Sequence, residues 1–144
     1  MTFATHSGYA FYWNSLGTGI TTNLYISGYN IYGQIGTNSS STAEPFRPND
    51  KSWSKIALGR YHTLGIRSDN LLFGWGYNNY GQVGDGTVNH RSSPTQIGTS
   101  NWSMITVGKT SMYGIKDDGS LWSWGYNAVG QLGIGDKINL VQYK

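Results

Sequence analysis

The sequence predicts an all-β protein made of three similar units, and three observations carry this prediction. A nine-residue motif, Gly-Tyr-Asn-x-x-Gly-Gln-aliphatic-Gly, occurs at residues 28–36, 76–84 and 125–133. The 144 residues include 21 Gly, 11 Tyr and 6 Trp but only 12% charged residues, which is typical of short strands joined by tight turns. No segment has helical periodicity. A repeat of 48 or 49 residues indicates units that stack to bury their apolar faces.

The chain is predicted to form a single repeat domain, because three such units leave no room for a second domain. We divide it into units of about 1–52, 53–101 and 102–144. The first unit is the degenerate copy. Identical residues recur 49 positions apart in the other two, namely Trp53 and Trp102, Gly65 and Gly114, Ile66 and Ile115, Leu72 and Leu121, and Trp75 and Trp124.

Strands of the first unit can be placed by comparison with the second. Residues 13–17 match the second strand of the second unit, and residues 23–27 predict a short strand that leads into the first motif. The polar, turn-rich stretch 37–52 contains Pro45 and Pro48. We expect a connection or an edge strand there, because proline has no N–H to donate to a central ladder.

The second unit gives the clearest strand pattern. Alternating apolar residues predict strands over 53–58 and 61–66, and a third strand over 71–75. Residues 68–70, Ser-Asp-Asn, predict a hairpin turn, because Asp and Asn tolerate positive φ. A fourth short strand is expected near 95–97.

The third strand of this unit is apolar or small on both sides. Phe73 and Trp75 share one face, while Leu72 and Gly74 share the other. Two covered faces indicate a sheet that lies between two others. The third unit repeats the plan and is expected to end with a strand over 138–143.

The glycines of the motif are assigned a structural role. They follow strands at points where the chain must reverse, and glycine alone adopts positive φ without steric cost. The assigned residues are Gly28, Gly33, Gly76, Gly81, Gly125 and Gly130.

Residues 75–86 and 118–127 resemble the regulator of chromosome condensation repeat family. Residues 59–64, Gly-Arg-Tyr-His-Thr-Leu, are similar to that family's glycine, histidine and threonine segment. The resemblance is strong over 53–144 and weak over 13–36. It implies a β-propeller whose blades are four-stranded sheets.

The number of repeats departs from the family pattern. Propellers have about four to eight blades, and the family typically has seven, whereas this chain has three repeats. Three blades would leave two open sheet edges, which invite pairing with another chain. We therefore expect assembly, either as a homo-oligomer that completes the ring, through another packing of the units, or with another protein. The alternative fold is β-trefoil-like, which also has three repeats of this length.

The sequence contains no pattern typical of catalysis. His6, His62 and His90 are far apart in sequence and in repeat register, so they predict neither a zinc site nor a nucleophile and base pair. His62 matches a structural position of the family. The chain has no Cys, its acidic residues are dispersed, and its glycines lack the lysine of a phosphate-binding loop. We predict no enzyme, no cofactor and no metal.

Candidate interaction residues lie inside and beside the motif. Its two free positions vary between units, and varied loop tips on a repeated frame are typical recognition positions. This ranks Tyr32, Asn79 and Tyr80 first. The recurring Tyr29, Tyr77 and Tyr126 follow, because their presence in every unit also suits a structural role.

Charge and the ends of the chain bear on partners and location. The net charge of +3 is spread without a basic run, so nucleic acid is an unexpected partner. The N-terminus lacks the pattern of a signal peptide, and no apolar stretch reaches the roughly 20 residues of a membrane helix. We expect a soluble protein without membrane contact.

The function predicted from these observations is a non-enzymatic structural or attachment module that docks onto protein. Small size, missing blades and many aromatic residues suit a multi-copy virion surface component, such as a capsid decoration or tail protein. One alternative, implied by the resemblance, is a regulatory propeller of nucleotide-exchange or chromatin type, which would be cytoplasmic rather than on a virion. Another is a module that binds surface glycans through exposed Trp and Tyr.

Overall fold

The structure, a computed structural model, is all-β in the residues it describes. These are residues 2–6, 9–15, 22–39, 41–46 and 52–139, with side chains described over 24–39 and 52–139. They form ten strands and no helix, which confirms the predicted all-β class. None of the described segments is a helix with the length and apolarity required to cross a bilayer.

The first unit forms a four-stranded antiparallel sheet with the order β1-β2-β3-β4. Pro45 lies in the edge strand β4, as its missing N–H predicted. The strands are β1 (Thr2–His6), β2 (Tyr9–Ser15), β3 (Thr22–Tyr29) and β4 (Ser41–Phe46).

The second and third units share a six-stranded antiparallel sheet with the order β10-β9-β8-β7-β6-β5. Asn70 has a φ of 66° between β6 and β7, which confirms the predicted hairpin turn. The strands are β5 (Trp53–Leu58), β6 (His62–Arg67), β7 (Leu71–Gly76), β8 (Arg91–Val107), β9 (Ser111–Lys116) and β10 (Leu121–Gly125).

Strand β8 belongs to both units. Its first part pairs with β7 from Arg91 to Asn101, and its second part pairs with β9 from Trp102 onward. The short strand predicted near 95–97 is therefore continuous with the first strand of the third unit. Of the last predicted strand, 138–143, residues 138 and 139 are not in a strand, and residues 140–143 lie outside the described residues.

Strand β7 is buried on both faces, as predicted. One core combines its Phe73 and Trp75 with residues of the first unit, and the opposite core combines its Leu72 with residues of the third. In each core, aliphatic side chains of one unit pack against tryptophans of the next. The first core consists of Leu24, Ile26, Ile35, Trp53, Phe73 and Trp75, and the second of Leu64, Ile66, Leu72, Ile97, Trp102, Met112 and Trp124.

In the second and third units, a glycine on the second strand makes room for the tryptophan on the first. A Cβ added at Gly65 would lie 2.6 Å from ring carbons of Trp53. One added at Gly114 would lie 2.6 Å from Cζ3 of Trp102. The recurrence of both pairs 49 residues apart thus has a steric reason, because any side chain here would push the indole out of the core.

We expect Gly114→Ala to lower the free energy of unfolding by about 1–3 kcal/mol, because the new methyl group overpacks against Trp102. Denaturant unfolding measures the change. Asn101→Ala is the control, since Asn101 is exposed on β8. Equal stability of Gly114→Ala and the control would contradict the steric argument.

Candidate functional site

All three motifs begin at the same end of the sheets. Strands β3, β7 and β10 end there, and the turns before β6 and β9 lie beside them, because His62 pairs with Gly76 and Ser111 with Gly125. We call this end the loop face. It consists of residues 29–39, 59–61, 77–90, 108–110 and 126–139.

The asparagine of each motif is a buried clamp for its loop. The side-chain Nδ2 of Asn78 donates to the carbonyl oxygens of Thr87 at 3.0 Å and Asn89 at 2.9 Å. Its Oδ1 accepts from the N–H of Val83 at 2.8 Å. Asn30 and Asn127 make the corresponding bonds in their loops. One side chain therefore fixes both limbs of each loop.

The glutamine of each motif closes the tight turn before it. The Oε1 of Gln82 accepts from the N–H of Tyr80 at 2.8 Å, and Gln34 and Gln131 accept in the same way two residues upstream. The Nε2 atoms of Gln34 and Gln82 are buried without a hydrogen-bond partner among the described residues. In each of these two glutamines the side-chain NH2 group is therefore left without an acceptor among the described residues.

The backbone carbonyls of these glutamines also tie neighbouring units together. The hydroxyl of Thr63 donates to the carbonyl oxygen of Gln34 at 2.8 Å. The indole Nε1 of Trp124 donates to that of Gln82 at 3.0 Å. The loop face of one unit is thus held by the core strands of the next.

The six motif glycines assigned a structural role all lie at positive φ, between 77° and 114°. Gly76 also lies close to another strand, since an added Cβ would meet the carbonyl oxygen of Tyr61 at 2.5 Å. A side chain at this position would be strained by both the backbone angle and the missing space.

Tyrosine rings form a continuous row across the loop face. The rings of Tyr32 and Tyr77 are 4.8 Å apart at 67°, and those of Tyr80 and Tyr126 are 4.8 Å apart at 63°. Because the second pair occupies the repeat positions of the first, the same contact occurs at both junctions between units. We define the tyrosine row as Tyr29, Tyr61, Tyr32, Tyr77, Tyr80 and Tyr126.

The structure brings the sequence-predicted interaction residues together. Tyr29, Tyr32, Tyr77, Tyr80 and Tyr126 all lie in the row, and Asn79 is exposed beside it. Sequence reasoning missed Tyr61, which enters the row from the turn before β6. The residue before it, Arg60, recurs as the basic residue Lys109 one repeat later, and this recurrence in the sequence could have indicated that the turn belongs to the site.

Both ends of the row are open. Tyr29 is 44% exposed, although its repeat counterpart Tyr77 is partly buried. At the other end, the repeat position of Tyr32 and Tyr80 is held by Val129, which is 75% exposed. The row therefore offers an aromatic edge at one end and an aliphatic side chain at the other.

A cavity of about 620 Å³ lies at the loop face, lined by residues of the second and third units and by Tyr32 of the first. Gln82 is among its lining residues, together with five tyrosines of the row, and Arg60 and Lys109 add positive charge. The guanidinium of Arg60 lies 4.9 Å from the ring centre of Tyr61. No carboxylate is found among the described residues that line the cavity.

Tyr77 in the row and His90 beside it have shifted pKa values. Burial raises the pKa of the Tyr77 phenol, and a hydrogen bond with Asn79 partly offsets this shift. Burial lowers the pKa of His90, whose ring packs against Tyr32 and Tyr77. The Nδ1 of His90 accepts from the backbone N–H of Asn78 at 3.0 Å, so the neutral imidazole is the form that fits.

The described residues contain no group of three or more His, Cys, Asp or Glu that could hold a metal ion. His62 is buried with its ring against Gly59, where an added Cβ would lie 2.1 Å from Cε1. The His62 ring leaves no room for a side chain at position 59, which explains why that residue is glycine.

Two sequence models described as the regulator of chromosome condensation (RCC1) repeat match the chain. One matches residues 53–82, and the other matches residues 69–112 and 118–143. Together they cover more than half of the chain, including the second and third motifs.

Relatives of the chain are larger proteins. The ultraviolet-B receptor of Arabidopsis thaliana is 36% identical over 78 residues, which are 51% of this chain and 18% of the receptor. The X-linked retinitis pigmentosa GTPase regulator homolog of Caenorhabditis elegans is 37% identical over 65 residues, which are 42% of this chain and 5% of the homolog. The chain thus spans a small part of either relative.

The solved structure of Prp20p from Saccharomyces cerevisiae has the same arrangement of strands. It superimposes with a TM-score of 0.82 and 19% identity over 99% of this chain and 37% of Prp20p. This likeness identifies the stacked sheets as blades of a β-propeller and confirms the predicted fold class.

We expect Asn78→Ala to lower the free energy of unfolding by about 2–4 kcal/mol, because buried backbone groups of both loop limbs lose their partner. Denaturant unfolding measures the loss. The control, Asn79→Ala, changes the adjacent exposed residue and should shift stability by less than about 0.5 kcal/mol. Equal losses in the two variants would contradict the clamp.

We expect the His90→Asn variant to lose less stability in mild acid than the wild-type protein does. The folded-state pKa of His90 is lowered, so its contribution is fully present above the usual value of 6.5 and is lost as pH falls through the folded pKa. Asn at this position can still accept the Asn78 N–H, as Asn139 does for Asn127 at 2.7 Å. The measurement is the unfolding free energy from pH 7.5 to 5.

Wild type and His90→Asn both retain His6 and His62, so a difference between them in the pH dependence of the unfolding free energy is due to His90. Identical pH dependence in wild type and His90→Asn would show that His90 does not contribute.

Proposed function

The chain belongs to the regulator of chromosome condensation (RCC1) repeat family, and we propose that it is a protein-interaction module whose loop face docks onto a partner protein. The observation that carries this proposal is the tyrosine row. It crosses all three units and remains partly exposed, with Tyr29 exposed at one end and Val129 exposed beyond the other.

The chemistry of the row suits protein recognition. Tyrosine provides large, rigid contact area at low entropic cost, and asparagine provides adaptable hydrogen bonds. Exposed Asn79 stands next to partly buried Tyr77 and Tyr80. The clamped loops beneath them hold these side chains in place before binding, which reduces the ordering cost of association.

Among the functions considered from the sequence, a regulatory interaction propeller has the better support. One relative is a GTPase regulator homolog, and Prp20p has binding properties to Gsp1p and histones. The relatives described above support neither a virion surface component nor a glycan-binding module. A virion location and self-association through the open edges stay predictions.

We propose that the module acts without catalysis of its own. The cavity at the loop face is lined by tyrosine, amide, basic, hydroxyl and histidine side chains, without a carboxylate among the described lining residues. Its titratable His90 is occupied in holding the backbone of Asn78. Any reaction connected with the module would then be carried out by its partner or by other domains.

A steric block at the loop face tests the proposal. The chain has no cysteine, so Asn79→Cys and Ser68→Cys can each be labelled with the same maleimide-linked polyethylene glycol. Ser68 is exposed in the turn at the opposite end of the sheet. Peptides are first selected on the unlabelled chain from a phage-displayed random library.

We expect the selected peptides to bind the labelled Ser68→Cys protein as they bind wild type, and to bind the labelled Asn79→Cys protein at least about tenfold more weakly. Fluorescence anisotropy of synthetic peptides gives both affinities. Equal binding to the two labelled proteins would place docking elsewhere, and a library without binders would also count against the proposal.

A further inference from the structure

We infer that the cavity at the loop face is a binding site for an acidic peptide segment, in which Asp or Glu residues flank a short apolar stretch. This inference rests on the proposed function and adds the chemistry of the partner. It is carried by the cavity's charge, by the geometry of its rings and by its size.

The charge of the cavity favours an anionic ligand. Arg60 and Lys109 both line it, and they occupy the same position in successive units, one residue after Gly59 and Gly108. The ion pairs found in the described residues, Arg67 with Asp69 and Arg91 with Asp85, involve neither cation. Unpaired positive charge in a concave site attracts and orients carboxylates.

The geometry of the rings favours a peptide over a flat aromatic ring. Neighbouring tyrosines meet edge to face, with interplanar angles of 67° for Tyr32 and Tyr77 and 63° for Tyr80 and Tyr126. Because neighbouring rings are steeply inclined to one another, the row does not present the set of parallel ring faces on which successive nucleobases stack. The hydroxyl groups and ring edges suit backbone amides and apolar side chains.

The size of the cavity also fits a short segment. About 620 Å³ lies within the range of about 300–1,000 Å³ typical of ligand sites. This volume would hold a few residues, with the apolar part against the tyrosines and the flanking carboxylates near Arg60 and Lys109.

The test uses three fluorescein-labelled peptides of equal length with a central Leu-Pro pair. In the first, Glu residues flank the pair, while Gln and Lys replace Glu in the second and third. Anisotropy titrations against the intact chain should give tightest binding for the Glu peptide and no measurable binding for the Lys peptide. Raising the salt concentration should weaken the Glu peptide selectively.

A double variant tests the two cations. Arg60→Gln with Lys109→Gln should weaken the Glu peptide about tenfold or more and remove its advantage over the Gln peptide. The charge-matched control is Lys55→Gln with Lys116→Gln, because both lysines lie on strands outside the loop face and neither lines the cavity. Unchanged thermal unfolding of both variants shows that folding is intact.

Three outcomes would overturn the inference. These are equal binding of the Glu and Gln peptides, equal losses in the double variant and its control, or Arg60- and Lys109-dependent binding of a nucleoside diphosphate or a sialylated oligosaccharide without binding of the Glu peptide.

The labelled proteins separate this inference from the proposed function. If library-selected peptides are blocked at Asn79→Cys but carry no acidic residues, the docking face stands and the acidic specificity fails. If the Glu peptide binds equally to both labelled proteins, the docking face itself fails.

Discussion

The buried asparagine of each motif is the interaction on which the loop face depends. A primary amide has two donor hydrogens and one acceptor oxygen, and Asn78 uses Nδ2 on two backbone carbonyls and Oδ1 on one backbone N–H. Burying an amide is costly unless it is hydrogen-bonded. No other side chain of this length offers the same set, so Asn30 and Asn127 repeat the solution in the other units.

Packing between blades turns this local clamp into a continuous surface. Tryptophans of one blade pack against aliphatic residues of the blade before it, and glycines such as Gly65 and Gly114 leave room for the indole rings. Because both junctions use the same packing, Tyr32 meets Tyr77 at the same distance as Tyr80 meets Tyr126. The tyrosine row is thus a consequence of core geometry.

The residues that vary between blades give this surface its chemical character. Arg60 and Lys109 occupy equivalent turns, while the residues beside them, Tyr61 and Thr110, differ in size and chemistry. At the motif tips, Tyr80 is replaced by exposed Val129 in the third blade. A constant frame with varied tips allows a three-blade module to be selective for its partner without a change of fold.

The sequence by itself determined the features that depend on local chemistry and on the repeat. The motif predicted recurring loops, Asn70 a turn at positive φ, Pro45 an edge strand, and the pattern from Leu72 to Trp75 a strand covered on both faces. Each depends on the properties of a residue and its immediate neighbours, so each is readable along the chain.

Only the tertiary structure decided which residues form the site. Tyr61 joins the row, and Gln82 meets Arg60 and Lys109 around one cavity, because stacking brings turns from different blades to the same end of the sheets. Likewise, β8 runs without interruption from one blade into the next. Its first part pairs with β7 and its second part with β9, and no local sequence pattern predicts this continuity. Contacts between residues distant in sequence are set by the packing of the blades, and that packing was not encoded in any single stretch of the chain.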